Sequence, residues 1–146
     1  MIYTYPYPRP ALTVDIVLIK EGCEGLEILL IQRGHPPFAG QWALPGGFVD
    51  EYEPLEAAAR RELFEETGLE APDLQQFGAF GDPGRDPRGW TVSVAFWTRI
   101  AGDITPRAGD DASAARWWPL DALPSLAFDH ADIVRQAEAI ITPQKT

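Results

Sequence analysis

Residues 47–69 read GFVDEYEPLEAAARRELFEETGL. Near the end of this stretch stand Glu62, Glu65 and Glu66. Side chains three and four positions apart are neighbours on a helix, so the three carboxylates share one face. Like charges side by side repel, and a run of Glu is usually a solvated face. The helical phase argues otherwise. At about 100° per residue, Leu55, Ala58 and Ala59 fall on the same stripe as the glutamates. A face that begins by packing on the protein ends close to it. Clustered, partly enclosed carboxylates need cations, and hard oxygen donors suit Mg²⁺ or Mn²⁺. Pro54 is a good first-turn residue, and the acids around it favour a helix N-terminus. Gly68 is a C-terminal stop. The expected helix is therefore about Pro54 to Thr67.

Upstream, Ala11 to Ile19 and Leu26 to Gln32 are rich in Val, Ile and Leu and read as two strands of a hairpin, with a turn over 21–25. Residues 34–40 carry prolines and glycines and read as a loop. Trp42 to Leu44 reads as a brief strand. The pair Gly46-Gly47 permits a tight backbone turn and presents carbonyls or amides to a ligand. The first ten residues, rich in Pro and Tyr, are expected to be extended, lying against the domain or a second subunit.

Downstream, Leu74 to Phe80 and Thr91 to Ile100 read as strands. Between them, GDPGRDPRG (81–89) is too rich in Gly and Pro for regular structure. Its Arg85, Asp86 and Arg88 form either a solvated turn or a loop that offers guanidinium forks to phosphates. Residues 102–112 read as an acidic loop, Ala115 to Leu120 as a short strand, and about Asp129 to Ile141 as a final helix. Hairpin, helix, strands and terminal helix together imply an α+β or α/β fold with a mixed sheet between helices.

Bulk properties narrow the function classes. The 146 residues suit one domain, with 1–10 as an N-terminal extension. A net charge of −10 weighs against general nucleic-acid or anionic-membrane binding. Ten Arg against two Lys favours bidentate phosphate contacts. Cys23 is the lone cysteine, so no internal disulfide forms, which fits a reducing cytoplasm. The N-terminus lacks the pattern of a signal peptide, and no apolar run approaches the roughly 20 residues that span a bilayer.

The glutamate stretch resembles the Nudix box at every defining position: Gly47, Glu53, Arg61-Glu62-Leu63, Glu65-Glu66 and Gly68-Leu69. With each residue type near 6% of a chain, a chance match is on the order of one in a million. Resemblance to the Nudix hydrolases implies an α/β/α sandwich and Mg²⁺-dependent hydrolysis of a nucleoside diphosphate joined to another group. Carried onto this chain, it makes Glu62, Glu66 and the Gly46 carbonyl metal ligands, with Glu65 a ligand that acts directly or through water. Arg61 orients these carboxylates, and Glu53 takes a structural role behind them. The family's general base is a box glutamate such as Glu65 or an acid of a later loop. Here Asp110 and Asp111 lie in that later loop, with Asp111 preferred, against the alternative of a solvated turn.

Outside the box, LLIQRG (29–34), GQWALPGGFVD (40–50), GRDPRGW (84–90) and AFDH (127–130) resemble the ADP-ribose pyrophosphatase-like branch. That resemblance implies cleavage of ADP-ribose to AMP and ribose 5-phosphate. Arg33, Arg85 and Arg88, with Asp86 beside them, become substrate contacts, and Tyr7, Phe38 or Trp90 a stacking ring, unless these aromatics simply pack. His130 reads as helix-terminal structure rather than a catalyst. Hydrolysis of other nucleotides, such as modified nucleoside triphosphates or dinucleotides, remains an alternative, as does ligand sensing. Sensing relatives carry a winged helix for which this chain is expected to have no room. By resemblance, the expected assembly is a homodimer acting on a small nucleotide; the cysteine and charge readings add a cytoplasmic protein without nucleic-acid or membrane partners.

Overall fold

A computed structural model describes residues 2–102, 104–109 and 112–141. Seven strands and two helices follow one another along these residues: β1 (Ala11–Gly22), β2 (Gly25–Arg33), β3 (Trp42–Ala43), β4 (Gly46–Phe48), α1 (Leu55–Thr67), β5 (Gln75–Phe80), β6 (Thr91–Ile100), β7 (Ala112–Pro119) and α2 (His130–Ile141). The sheet is mixed. β1 runs parallel to β6 along its length and antiparallel to β2 and β4, while β7 lies against the other edge of β2.

Alternation along β1 separates the two faces. Val14, Ile16 and Leu18 join Ala58, Ala59 and Leu63 of α1 in one core. Val17 and Ile19 join Ile133, Val134, Ala137 and Ile141 of α2 in the other. Leu29 of β2 belongs to the α1 side, Ile28 and Leu30 to the α2 side. The sheet is thus buried between two helices, as the element order and the resemblance both imply. Burying a side chain such as Leu63 contributes about 1.5–3 kcal/mol.

The sheet opens in its middle. β1 and β2 pair only near their connection, from Ile19↔Ile28 to Gly22↔Gly25. Beyond that point they part, and residues 42–48 fill the gap. β3 pairs with the end of β2, and β4 with the start of β1. Here the expected tight turn at Gly46-Gly47 is corrected: both glycines lie in β4, and neither has a positive φ. Their lack of a side chain serves close approach instead. A Cβ on Gly46 would meet the Val14 carbonyl oxygen at 2.1 Å, and one on Gly47 would meet the Glu62 carboxylate at 2.5 Å.

Three boundaries also differ from the sequence reading. Pro54 is the N-cap rather than the first helical residue, since its ψ of 145° is extended. The hairpin turn is tighter, at 23–24, because β1 and β2 pair out to Gly22 and Gly25. β7 begins at Ala112, where β2 offers an unpaired edge as far as Arg33. At the other end of α1, Gly68 adopts φ 73° and donates its N–H to the Phe64 carbonyl. The loop that follows β6 seals this helix end: Arg107 and Gly109 donate their N–H groups to the Thr67 and Glu66 carbonyls.

Candidate active site

The stretch from β4 into α1 folds back so that the glycines meet the glutamates. Glu66, buried, accepts the Gly46 N–H through Oε1 at 2.7 Å. Gly46 stands opposite Asp15 in the register, while Pro45 accepts the Ile16 N–H. Alternation along an antiparallel ladder therefore turns the N–H and carbonyl of Gly46 away from β1. The carbonyl oxygen is thereby left on the same edge as Glu66.

Arg61 holds the acids behind this edge. Nε and Nη2 donate to both oxygens of Glu53 at 2.8 Å, Nη1 donates to Glu62 at 2.8 Å and Glu65 at 3.2 Å, and Nη2 also reaches the Phe48 carbonyl. A planar fork serves several acceptors at once, which a lysine cannot do. These bonds bring the Glu53 carboxyl down to about 2. Burial pushes the Glu62 carboxyl up despite Arg61, and the neighbouring charges of Glu65 and Asp50 push it the same way. A carboxylate disfavoured by burial and by like charges is stabilised by a cation.

A cavity of about 490 Å³ opens beside these residues. Of the sequence-derived candidates, Gly46, Glu62, Glu66, Arg33, Arg85, Asp86 and Arg88 line it. Arg61 and Glu53 stand behind the wall, and Glu65 is exposed on the helix. Asp110 and Asp111 lie outside the described residues. Among the described residues, no three His, Cys, Asp or Glu side chains are gathered as a metal-ligand set. The donor chemistry nevertheless fits a hard divalent cation: a backbone carbonyl edge and two adjoining carboxylates, all oxygen.

The arginines are more engaged than the loop sequence implies. Arg85 grips Asp129 through Nε (2.8 Å) and Nη2 (2.6 Å), and its side chain is only 5% exposed. Burial opposes its charge, but the Asp129 bonds and the charges of Asp15 and Asp86 outweigh that and hold its pKa above the usual value. Arg88 pairs with Asp86 at 2.8 Å and lies 4.9 Å from the Phe48 ring centroid and 5.4 Å from that of Phe128. Burial works against the Asp86 charge, but the bonds from Arg88 prevail and lower its pKa. Arg33 donates to the Pro37 carbonyl and lies 5.0 Å from the Phe128 centroid.

The aromatic wall is therefore Phe48 and Phe128. Phe38 packs edge-on against Phe128, while Tyr7 and Trp90 are exposed and do not line the cavity. Two buried polar residues complete the floor. His130, at the start of α2, accepts the Leu44 N–H through Nδ1 at 3.0 Å, so it does hold structure together. Burial lowers its pKa, against the pull of Asp15 and Asp129. Asp15 accepts the Ser93 hydroxyl and places Oδ1 3.4 Å from His130 Nε2. Asp15 escaped the sequence reading, although an acid inside the apolar run LTVDIVLI is itself a signal.

Residues 9–137 match the NUDIX domain. An ADP-ribose pyrophosphatase of Methanocaldococcus jannaschii is 43% identical over 88% of this chain and 73% of its own length. The ADPR responsive transcriptional repressor NtrR of Acinetobacter baylyi is 42% identical over 91% of this chain, which spans only 55% of the repressor. The NUDIX domain of Shewanella oneidensis NrtR, solved in complex with ADP ribose, superposes with a TM-score of 0.87 at 37% identity, covering 95% of this chain and 94% of that one.

Proposed function

The chain belongs to the Nudix family, and on that premise we propose that it is a pyrophosphohydrolase that cleaves ADP-ribose to AMP and ribose 5-phosphate with Mg²⁺. The observation that carries this reading is the composition of the cavity. The lining offers, first, the Glu62 and Glu66 carboxylates beside the Gly46 backbone and, second, the Arg33 and Arg88 guanidinium groups near the Phe48 and Phe128 rings. The first suits a cation and the second a diphosphate with its attached ring systems. The volume lies within the range of pockets for small ligands. The 43% identity to an ADP-ribose pyrophosphatase adds weight to the choice of substrate.

Bound between these carboxylates, Mg²⁺ would neutralise phosphate charge and lower the pKa of water. The chain's own groups do the rest. Glu62, Glu66 and the Gly46 carbonyl would hold the cation, and Arg61 keeps the carboxylates in position through Glu62 and Glu65. Arg33 and Arg88 bind the diphosphate, and the Arg85–Asp129 pair sets the loop over the cavity. Water adds to one phosphorus, the bridging P–O bond breaks, and each product leaves as a phosphomonoester. Proton removal falls to Glu65 or to an acid beyond Gly109. Asp111 is the preferred candidate. The Gly109 N–H bond to the Glu66 carbonyl holds the described part of that later loop against the C-terminal end of α1.

A second reading, ADP-ribose sensing without turnover, draws on the 42% identity to a repressor. A Mg²⁺ assay with ADP-ribose, nucleoside triphosphates and dinucleotides, products separated by chromatography, decides among these. AMP released from ADP-ribose far more efficiently than any product from the others is the expected result. A preference for triphosphates would overturn the substrate assignment. Tight ADP-ribose binding without products would establish the sensor.

A further inference from the structure

Asp15 is a buried acid that the chemistry above does not use. It sits on β1 among apolar neighbours, with a side chain 9% exposed, and it faces the cavity. Ser93 on the parallel strand β6 donates its hydroxyl to Oδ2 and fixes the rotation of the carboxylate. Oδ1 is left toward the cavity. Because Nδ1 of His130 accepts the Leu44 N–H, the neutral ring carries its proton on Nε2. Nε2 stands 3.4 Å from Oδ1, longer than a good hydrogen bond. Arg85 lines the same cavity, yet its guanidinium is taken by both oxygens of Asp129.

Gly46 keeps Oδ1 uncovered. A Cβ at that position would lie 2.6 Å from it. An oriented carboxyl oxygen with spare acceptor capacity thus stands beside the backbone that borders the proposed metal site. With Oδ2 taken by the Ser93 hydroxyl, Oδ1 offers an open acceptor, and a ligand meets it with a donor. In a nucleoside diphosphate sugar the ionised phosphates bring none, and the base is one sugar farther away. The donor group directly attached to either phosphate is a ribose.

We infer that Asp15 is a specificity-determining residue that accepts hydrogen bonds from the hydroxyls of a ribose flanking the scissile diphosphate. It rests on the functional reading above, and adds a consequence: an acceptor oxygen that welcomes a hydroxyl has no donor to offer a phosphate ester on the same sugar. An acidic side chain at a ribose hydroxyl is also how dinucleotide-binding folds exclude the 2′-phosphate.

The test uses AMP, ribose 5-phosphate and inorganic pyrophosphate, titrated calorimetrically with Mg²⁺ into the wild-type chain and Asp15→Asn. The two monophosphates each bring one ribose, and pyrophosphate brings none. Asp15→Asn is expected to weaken AMP, ribose 5-phosphate or both by about ten-fold, the loss of a hydrogen bond to the carboxyl acceptor, and to leave pyrophosphate unchanged. The weakened product identifies which ribose is held. The same variant is expected to narrow the discrimination between AMP and adenosine 2′,5′-bisphosphate if the adenosine ribose is the one held. Unchanged affinity for both ribose compounds, or an equal loss for pyrophosphate, overturns the inference. Ser93→Ala, which keeps the Asp15 carboxyl group but frees it to rotate, gives the same selective loss at about three-fold, and it serves if Asp15→Asn does not fold. ADP-ribose turnover by the wild-type chain is measured separately, so a wrong substrate assignment is distinguishable from a wrong role for Asp15.

Discussion

At the scale of single residues, three glutamates of similar sequence context end in different environments. Glu66 is buried against the Gly46 N–H, Glu62 is half-buried under Gly47, and Glu65 is exposed and accepts from Arg61. Glu66→Gln keeps the size of the side chain but removes a charge from the proposed ligand set. It is expected to lower kcat by about a hundred-fold or more while leaving the melting temperature close to wild type. Turnover near normal in a folded variant would remove Glu66 from the metal site. Arg61 acts through its neighbours. Arg61→Lys retains the charge but loses the fork that serves Glu53, Glu62 and Glu65 together, so kcat should fall by about 10- to 100-fold. Steady-state kinetics with titrated Mg²⁺ checks this, because the apparent metal affinity should weaken in parallel.

At the scale of elements, the site depends on how α1 is seated. Ala58, Ala59 and Leu63 pack it on the face of β1 that carries Val14, Ile16 and Leu18. Small residues bring the helix near the sheet, and the same stripe continues into Glu66. Leu63→Ala, at a position with no exposed surface, is expected to cost about 2–5 kcal/mol in urea unfolding. A cost under about 1 kcal/mol would show that α1 is held chiefly by the Arg61 network. The resemblance of residues 47–69 to the Nudix box made the helix and its carboxylates legible from sequence alone. The strand character of Gly46 and Gly47 was not, because glycine favours turns in isolation, and only the Val14 carbonyl and the Glu62 carboxylate show why no side chain fits there.

At the scale of the whole molecule, β1, β6, α2 and the link between β3 and β4 meet at the buried Asp15–His130 floor. His130 is neutral when folded, with a pKa below its usual 6.5 because burial disfavours its charged form. A histidine whose folded pKa is depressed binds its proton more readily when unfolded. Its contribution to stability is therefore present above about pH 6.5 and is lost as pH falls below that value. His130→Asn keeps an acceptor for the Leu44 N–H but does not titrate. Urea midpoints measured from pH 7.5 to 5 are expected to fall more steeply for wild type than for this variant. Parallel slopes would show that His130 charges without penalty.

Local rules determined the helix, most strand positions and the set of acids and arginines, because each depends on residues close together in the chain: a 3.6-residue stripe, a two-residue alternation, a glycine stop. The family pattern in residues 47–69 determined the class of chemistry. Only the tertiary structure decided which charges are used internally and which face the cavity. Arg85 is spent on Asp129, 44 positions away, and Asp15 is oriented by Ser93, 78 positions away. No local period reports such pairings. They exist because β1 lies beside β6 and because residues 42–48 fill the place where β1 and β2 part.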